Sequence, residues 1–420
     1  MKKIFFIDDS ISNRISFWHL VCFGWMLPLP FVYSQLVLAS FTIHTLIHLT
    51  KDRFNFIFSR PVFLVSAIYL LGIIGFFYSP DKSEAFNVAG RQSAILWLPA
   101  VLAVNELDFS KYKIQLLKLF GLGITATVLY LYAHAVYSIL YFKQPLSVLF
   151  STSFTNHNFS LPLELHATYL SMYVALSITS FLFLILQPGS RRNKLIYLFC
   201  IMVLSAGLLQ LSSRSVFIAL LVIVNLGFPF LLLSGKKRLQ FMLAAVTISA
   251  AVLIFIFSIN SFKLRYVADL KLDLTQSSIN NEIMEPRIVR WDAAMELVKQ
   301  SPLIGHGSGS EKELLKEKYF EKKLYISYLN EFNAHNEYLS FLLKTGIAGL
   351  LVYLYVLFSG FSIAVKKRDI LFFAFMLLIC IVSFSENILD VNKGVFFYSF
   401  FFSLFLLSHR QTGAAGSLKK

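Results

Sequence analysis

Apolar residues along this chain come in long unbroken runs. The stretches 195–211, 216–233, 239–257, 350–365 and 371–384 are examples. Each approaches the ~20 apolar residues needed to cross a hydrocarbon layer ~30 Å thick. A helix in a soluble core keeps a polar face toward water, whereas these runs are apolar on all sides. The pattern predicts helices at about 17–33, 35–50, 62–78, 92–104, 119–141, 166–187, 195–211, 215–233, 239–260, 339–365, 370–385 and 394–408. The expected fold class is therefore an all-α polytopic membrane protein of about twelve transmembrane helices. Residues 1–260 would hold the first nine, 261–338 one large, partly helical outer loop, and 339–420 the last three with a C-terminal tail.

Lys and Arg then assign a side to each connection. Alternate segments contain Lys2, Lys3 and Arg14; Lys51, Arg53 and Arg60; Lys111, Lys113 and Lys118; Arg191, Arg192 and Lys194; Lys236, Lys237 and Arg238; Lys366, Lys367 and Arg368; and Arg410, Lys419 and Lys420. The short segments between them contain only Lys82, Arg91, Lys143, Arg214 and Lys393. Short loops rich in Lys and Arg stay cytoplasmic, so both termini are expected inside a bacterial inner membrane. A wrong helix count would have scrambled this bias. The formal net charge of +15 is thus a topology signal, and membrane lipids are the expected partner in place of nucleic acid. The apolar stretch from Phe17 runs on through Pro28 and Pro30 with no small-residue cleavage site, so no removable signal peptide is expected. Composition agrees: 15% of residues are charged, against about 25% in soluble domains. Cys22, Cys200 and Cys380 all sit in apolar runs and read as small apolar side chains.

The stretch 261–338 exceeds the ~60 residues to which the charge rule applies. Within it, Ile288, Trp291, Ala294, Met295 and Val298 recur at helical spacing. Pro302 and the run Gly305-His306-Gly307-Ser308-Gly309 predict a turn. Residues 311–323 predict a charged, solvent-facing helix.

Three groups of residues could carry chemistry at the predicted outer face. His335, in Asn333-Ala334-His335-Asn336-Glu337-Tyr338, opens the tenth predicted helix. A neutral imidazole accepts a proton from a hydroxyl, and a helix N-terminus disfavours the imidazolium; the plainer alternative is an interfacial histidine that caps the helix. Further on, Gly346 and Gly349 share a helix face and would let another helix approach closely. Arg214 lies between two apolar runs with almost no loop. Arginine at membrane depth is costly, which marks a functional candidate, and its guanidinium forks onto phosphate oxygens; the alternative is a topology anchor. Arg287 and Trp291, four apart, share a helix face and suit an anionic or sugar ligand, while Arg290 reads as a solvated face. Arg91 is either a further phosphate contact or an interfacial anchor. His44 and His48 lack a third ligand and read as packing, His157 and His166 could line a sugar path, and His306 reads as part of its turn. The sequence has no phosphate-binding GKS/T loop, no GxSxG and no Cys/His metal set, so neither metal nor cofactor is expected.

Together these residues resemble the O-antigen ligase / O-antigen polymerase (Wzy-like) superfamily. His335-Asn336, nine residues, then Gly346-x-x-Gly349 is similar to that family's His-Asn/Ser/Gln-x9-Gly-x-x-Gly signature. Arg287-x-x-x-Trp291 with the following Pro302-Leu303-Ile304-Gly305-His306-Gly307 is similar to its Arg-x-x-x-aromatic helix and Pro-Leu-x-Gly-x-Gly turn. Ser212-Ser213-Arg214 at the start of a membrane helix is the third piece. The similarity covers roughly 150–400; earlier residues agree only in hydropathy, and the family's early basic position can be matched only to Arg91.

The resemblance implies a GT-C-like membrane glycosyltransferase acting at the periplasmic face, inverting and metal-independent. The donor would be an undecaprenyl-diphosphate-linked glycan and the acceptor lipid A-core or another glycan. His335 would be the catalytic base, Arg214, Arg287 and Arg91 would bind the diphosphate, and Asn336 and Trp291 would support them. A single large outer loop favours ligation to lipid A-core over repeat-unit polymerisation or protein glycosylation. A transporter of lipid-linked sugars is the alternative from another class, but the charges cluster at the outer face and no internal repeat is visible.

Overall fold

The structure, a computed structural model, describes residues 7–268, 271 and 285–414. The remainder of the predicted outer loop, at 269–270 and 272–284, lies outside the described residues. The described residues are all-helical, without a strand. The principal helices are α1 (Ile11–Met26), α2 (Phe31–Ile47), α3 (Arg60–Tyr78), α4 (Lys82–Gln92), α5 (Ala94–Val104), α6 (Phe109–Tyr141), α7 (Ala167–Leu186) and α8 (Arg191–Leu211). They continue with α9 (Arg214–Val222), α10 (Gly235–Ser258), α11 (Arg287–Gln300), α12 (Glu311–Glu321), α13 (Tyr325–Leu329), α14 (Glu337–Lys366), α15 (Ile370–Val382) and α16 (Asn392–Ala414).

Among the described residues, seven helices are long and apolar enough to cross a membrane: α3, α6, α7, α8, α9 with its continuation to Leu231, α10 and α14. Helices α2 and α15 are apolar but shorter. The helix expected at 17–33 runs instead over Ile11–Met26 and the one expected at 119–141 begins at Phe109, while at 92–104 α5 has only 11 residues and contains Pro99, a residue that removes one helical hydrogen bond. Polar caps set where many helices begin. Asp81 accepts from the Glu84 N–H, Asp108 from Ser110 and Lys111, Asn336 from Tyr338 and Leu339, and Asp369 from Leu371 and Phe372. Each cap satisfies N–H groups that a helix cannot pair internally, typically for about 1 kcal/mol.

The chain divides into two compact units. The first comprises Met1–Phe63, Trp97–Val224 and Ser399–Lys420. Its centre is α7, with 72% of its apolar window buried. Glycines bring helices close there: an added Cβ would lie 2.8 Å from Phe181 at Gly121 and 2.6 Å from Val128 at Gly207. Hydroxyls on α7 turn back on their own helix, Ser177 donating to the Tyr173 carbonyl and Thr179 to Ala175.

The second unit comprises Leu64–Leu96 and Asn225–Tyr398. Three of its segments that the Lys/Arg alternation assigns to one side (79–93, 285–338 and 383–391) pack together. Tyr78 donates to the Ile304 carbonyl, Gly309 N–H to the Ser79 hydroxyl and Gln92 to the Leu389 carbonyl. Beneath them Ala293, Leu297, Leu315, Tyr319, Leu339 and Leu343 form a buried apolar cluster.

Helix α14 is interrupted at Gly346, whose φ of 63° and ψ of −162° are non-helical. The orphaned backbone groups are taken up by the turn after α11. His306 and Gly307 N–H groups donate to the Leu343 and Lys344 carbonyls at 2.9 and 2.8 Å, and the Ile347 N–H donates to Pro302 at 2.9 Å. A Cβ at Gly346 would sit 2.3 Å from the Leu303 carbonyl, and one at Gly305 2.5 Å from the backbone of Lys344 and Thr345. The expectation that another helix approaches these glycines is thus corrected at Gly346, while at Gly349 an added Cβ would lie 3.2 Å from Leu71 of α3. Gly346 breaks its own helix and receives a loop, because only glycine tolerates both the left-handed φ and the close approach.

Candidate active site

His335 sits immediately before the Asn336 cap of α14 with φ of 46°, a left-handed backbone that costs an ordinary residue about 1 kcal/mol or more. Its neighbours hold it there. The His335 N–H donates to Asn333 Oδ1 at 3.0 Å. The preceding residue, Ala334, is gripped at both polar groups: its carbonyl accepts from the Trp291 indole at 3.0 Å, and its N–H donates to Glu311 Oε1 at 3.1 Å. The imidazole Nδ1 lies 3.4 Å from Glu386 Oε2, with the two side chains 24% and 10% exposed. The Phe332 ring meets the imidazole edge-on.

Glu386 belongs to the 383–391 segment between α15 and α16, which sequence reasoning passed over. Arg287 Nη1 donates to the Ser385 carbonyl at 3.0 Å. The Asn336 N–H donates to Asn387 Oδ1 at 2.8 Å, and the Glu337 N–H to the Ser383 carbonyl at 2.8 Å. Helix α11 therefore holds both sides of the site, its Trp291 on the strand of chain carrying His335 and its Arg287 on the one carrying Glu386. This is the physical meaning of the Arg-x-x-x-Trp spacing: one helical turn spans the gap between two loops.

Below this pair lies a buried charged network. Lys344 Nζ is 2.8 Å from Asp390 Oδ1 and 3.0 Å from Glu311 Oε2. Asn387 Nδ2 donates to Glu311 Oε1 and Asp390 Oδ2, each at 3.0 Å. Ser340 donates to Glu311 as well, and the Glu337 carboxylate accepts the Leu389 N–H at 2.9 Å. Burial alone would raise the Asp390 carboxyl; the Lys344 charge, hydrogen bonds from Lys344 and Asn387, and the Arg91 charge outweigh it and hold Asp390 below its usual range.

Five of the six residues singled out from sequence, namely Arg91, Arg287, Trp291, His335 and Asn336, lie in the second unit; Arg214 lies in the first. Arg214 opens α9 after Ser212, itself at φ of 50°, and is half-buried. Arg91 is not an unengaged cation, since its Nη2 is 2.7 Å from Glu84 Oε1. Arg290, read as a solvated face, is corrected: it is 7% exposed with its guanidinium over the Phe332 ring, because α11 turns that side toward α12 and the 332–335 loop. The helix expected at 311–323 is likewise only partly solvent-facing, with Glu311, Leu315 and Tyr319 buried. The residues missed were Glu311, Lys344, Glu386, Asn387 and Asp390. Lys344 carried a usable signal, an ionisable residue inside an apolar run, and its partners had to be acidic.

Arranged this way, the site offers an imidazole backed by a carboxylate, next to a guanidinium, at the mouth of a helix. Such a set can take a proton from a hydroxyl and steady developing negative charge. Among known families, one described as O-antigen ligase matches residues 199–354. The matched span holds Arg214, the Arg287–Trp291 helix turn, the glycine turn, His335 and Gly346. No curated protein matches the chain.

Proposed function

We propose, from the match to the O-antigen ligase family over residues 199–354, that this chain transfers a glycan from an undecaprenyl-diphosphate carrier to an acceptor hydroxyl, with lipid A-core as the acceptor. His335 Nε2 removes the hydroxyl proton as the oxygen attacks the anomeric carbon. A new glycosidic bond forms, the bond to the diphosphate breaks, and undecaprenyl diphosphate leaves with the electron pair. A single displacement inverts the anomeric centre. Glu386 fixes the ring through Nδ1 and stabilises the imidazolium that results. Arg287 supports the leaving diphosphate electrostatically; Arg214 is assigned the same role on sequence grounds.

In this reading the protein is a bacterial inner-membrane protein of about twelve spans with cytoplasmic termini, and residues 261–338 are periplasmic. The observation that carries the function is the His335–Glu386 pair, 3.4 Å apart, inside a loop cluster pinned from several sides. The transporter alternative draws on the broken helix and the intramembrane Lys344. Transporters use unwound backbone to bind substrate or ion, whereas here the protein's own turn occupies the break at Gly346.

The test is transfer by purified protein from an undecaprenyl-diphosphate-linked oligosaccharide, with lipid A-core, a second lipid-linked glycan and a protein offered as acceptors. His335→Ala should lower transfer by about 10²- to 10⁴-fold, the usual weight of a general base, while membrane insertion stays normal. Retained transfer by that variant rejects the assignment, and donor translocation without a covalent product rejects the enzyme. Joining to a second glycan or to protein instead of lipid A-core replaces the acceptor.

A further inference from the structure

Glu311 opens α12, some distance along the chain from both His335 and Glu386, and is 4% exposed. Its Oε1 accepts from two donors: the Ala334 N–H at 3.1 Å and Asn387 Nδ2 at 3.0 Å. Ala334 precedes His335 and Asn387 follows Glu386. A single oxygen thus holds the immediate neighbours of both members of the imidazole–carboxylate pair. Its other oxygen accepts from the Ser340 hydroxyl and from Lys344 Nζ. An ionised carboxylate has about four acceptor positions, and these four donors match them.

The contacts close into a ring. Glu311 bonds Lys344, Lys344 bonds Asp390, Asp390 accepts from Asn387, and Asn387 returns to Glu311. Sliding the 383–391 segment along α14 would break charged hydrogen bonds in buried surroundings, where an unpaired charge is costly. The ring lies away from the imidazole and touches it only through the neighbouring residues.

We propose that Glu311 is a positioning residue for the transfer step, fixing the separation of His335 and Glu386. The inference rests on the function proposed above. A carboxylate is required because an amide of the same shape would turn an N–H toward Lys344 or toward the Ala334 and Asn387 donors, opposing donor to donor. Misplacement of a reacting group by about 1 Å costs on the order of 10²-fold in rate, so a loosened ring should appear in turnover before it appears in donor binding.

The experiment uses the full chain in detergent and an undecaprenyl-diphosphate-linked oligosaccharide, following release of undecaprenyl diphosphate. Glu311→Gln should lower kcat about 10- to 100-fold, with the donor KM changed less than about threefold. In the Glu386→Gln background the same change should add little, because both substitutions disable one unit. A merely structural residue would multiply the two losses. Asn387→Ala, which removes the link from Glu311 to the Glu386 side together with the acceptor of the Asn336 N–H, should reproduce the kcat loss and serves if Glu311→Gln does not fold. Wild-type kcat in either folded variant, or losses that multiply with Glu386→Gln, overturns the proposal. An active His335→Ala would instead overturn the function and this inference with it, whereas inactive His335→Ala beside normal Glu311→Gln overturns the inference alone.

Discussion

The two units bury different things. In the first, the interior is rings, aliphatic side chains and small polar groups, and hydroxyls such as those of Ser177, Thr179 and Ser180 bond within their own helix. Among the described residues, every buried Arg, Lys or Glu belongs to the second unit: Arg290, Glu311, Glu337, Lys344, Glu386 and Lys393. Apolar packing suffices to make a stable helical unit, and buried charges weaken rather than help unless their partners are in place. Concentrated charge therefore marks where specific geometry is needed, and the described part of the predicted outer loop folds over that same charge.

The contrast can be broken most sharply at Lys344. Lys344→Met removes the cation from between Asp390 and Glu311 and leaves buried carboxylates facing one another. Loss of one partner from a buried charged pair costs about 3–5 kcal/mol. Trp291 is the only tryptophan of the second unit, the others being Trp18, Trp25 and Trp97. In a background where those three are Phe, its fluorescence during thermal unfolding should report early loss of the second unit in the Lys344→Met protein. An unchanged transition would mean that the network is not stabilising.

A smaller effect should follow from acid. Asp390 is held below its usual value of 3.8, so its folded form prefers to be ionised. Its contribution to stability is complete above about pH 4 and is lost as pH falls through the lowered value. Glu331, exposed and depressed to about 2 by Lys312 and Lys316, follows the same direction on the surface. Added salt should weaken the Glu331 part and leave the buried Asp390 part nearly intact. The Trp291 transition measured from pH 6 to pH 3 at low and high salt checks this; a somewhat smaller but largely retained loss at high salt is expected, and acid loss abolished by salt would assign it to the surface pairs.

The smallest effect should come from the first unit. Ser177→Ala removes a hydroxyl that bonds only to its own helix, at 2.7 Å from the Tyr173 carbonyl. Such substitutions change stability by roughly 0.5 kcal/mol or less in either direction. A large loss on thermal unfolding, followed by the remaining tryptophans, would show that buried hydroxyls carry more of this unit than apolar packing does.

How much of this was legible follows the same division. In the first unit, periodicity and apolar runs located the helices Ala167–Leu186 and Arg191–Leu211 to within a few residues, because a span needs only length and hydrophobicity, but set the first helix at 17–33 where it runs Ile11–Met26 and began the one ending at Tyr141 ten residues late, at 119 where it starts at Phe109. In the second unit, His335, Asn336, Arg287 and Trp291 stood out because short spacings bring them to one turn. The ring of Glu311, Lys344, Asn387 and Asp390 did not, since its members come from three segments far apart in sequence and no local period links them. Arg290 was misread because an arginine on a polar helix is ordinarily solvated; its burial depends on Phe332, more than forty positions along the chain. The break in α14 was hidden too, because Gly346 in a long apolar run looks like a packing glycine until its φ is known.

That break bears on the order in which the protein is made. A helix halted in mid-course leaves amide and carbonyl groups that lipid cannot solvate. The residues that satisfy them, Pro302 to Gly307, are synthesised before Gly346. If residues 285–338 are exported ahead of α14, the patch is already waiting on the far side when the gap emerges, and the membrane never has to hold an open seam.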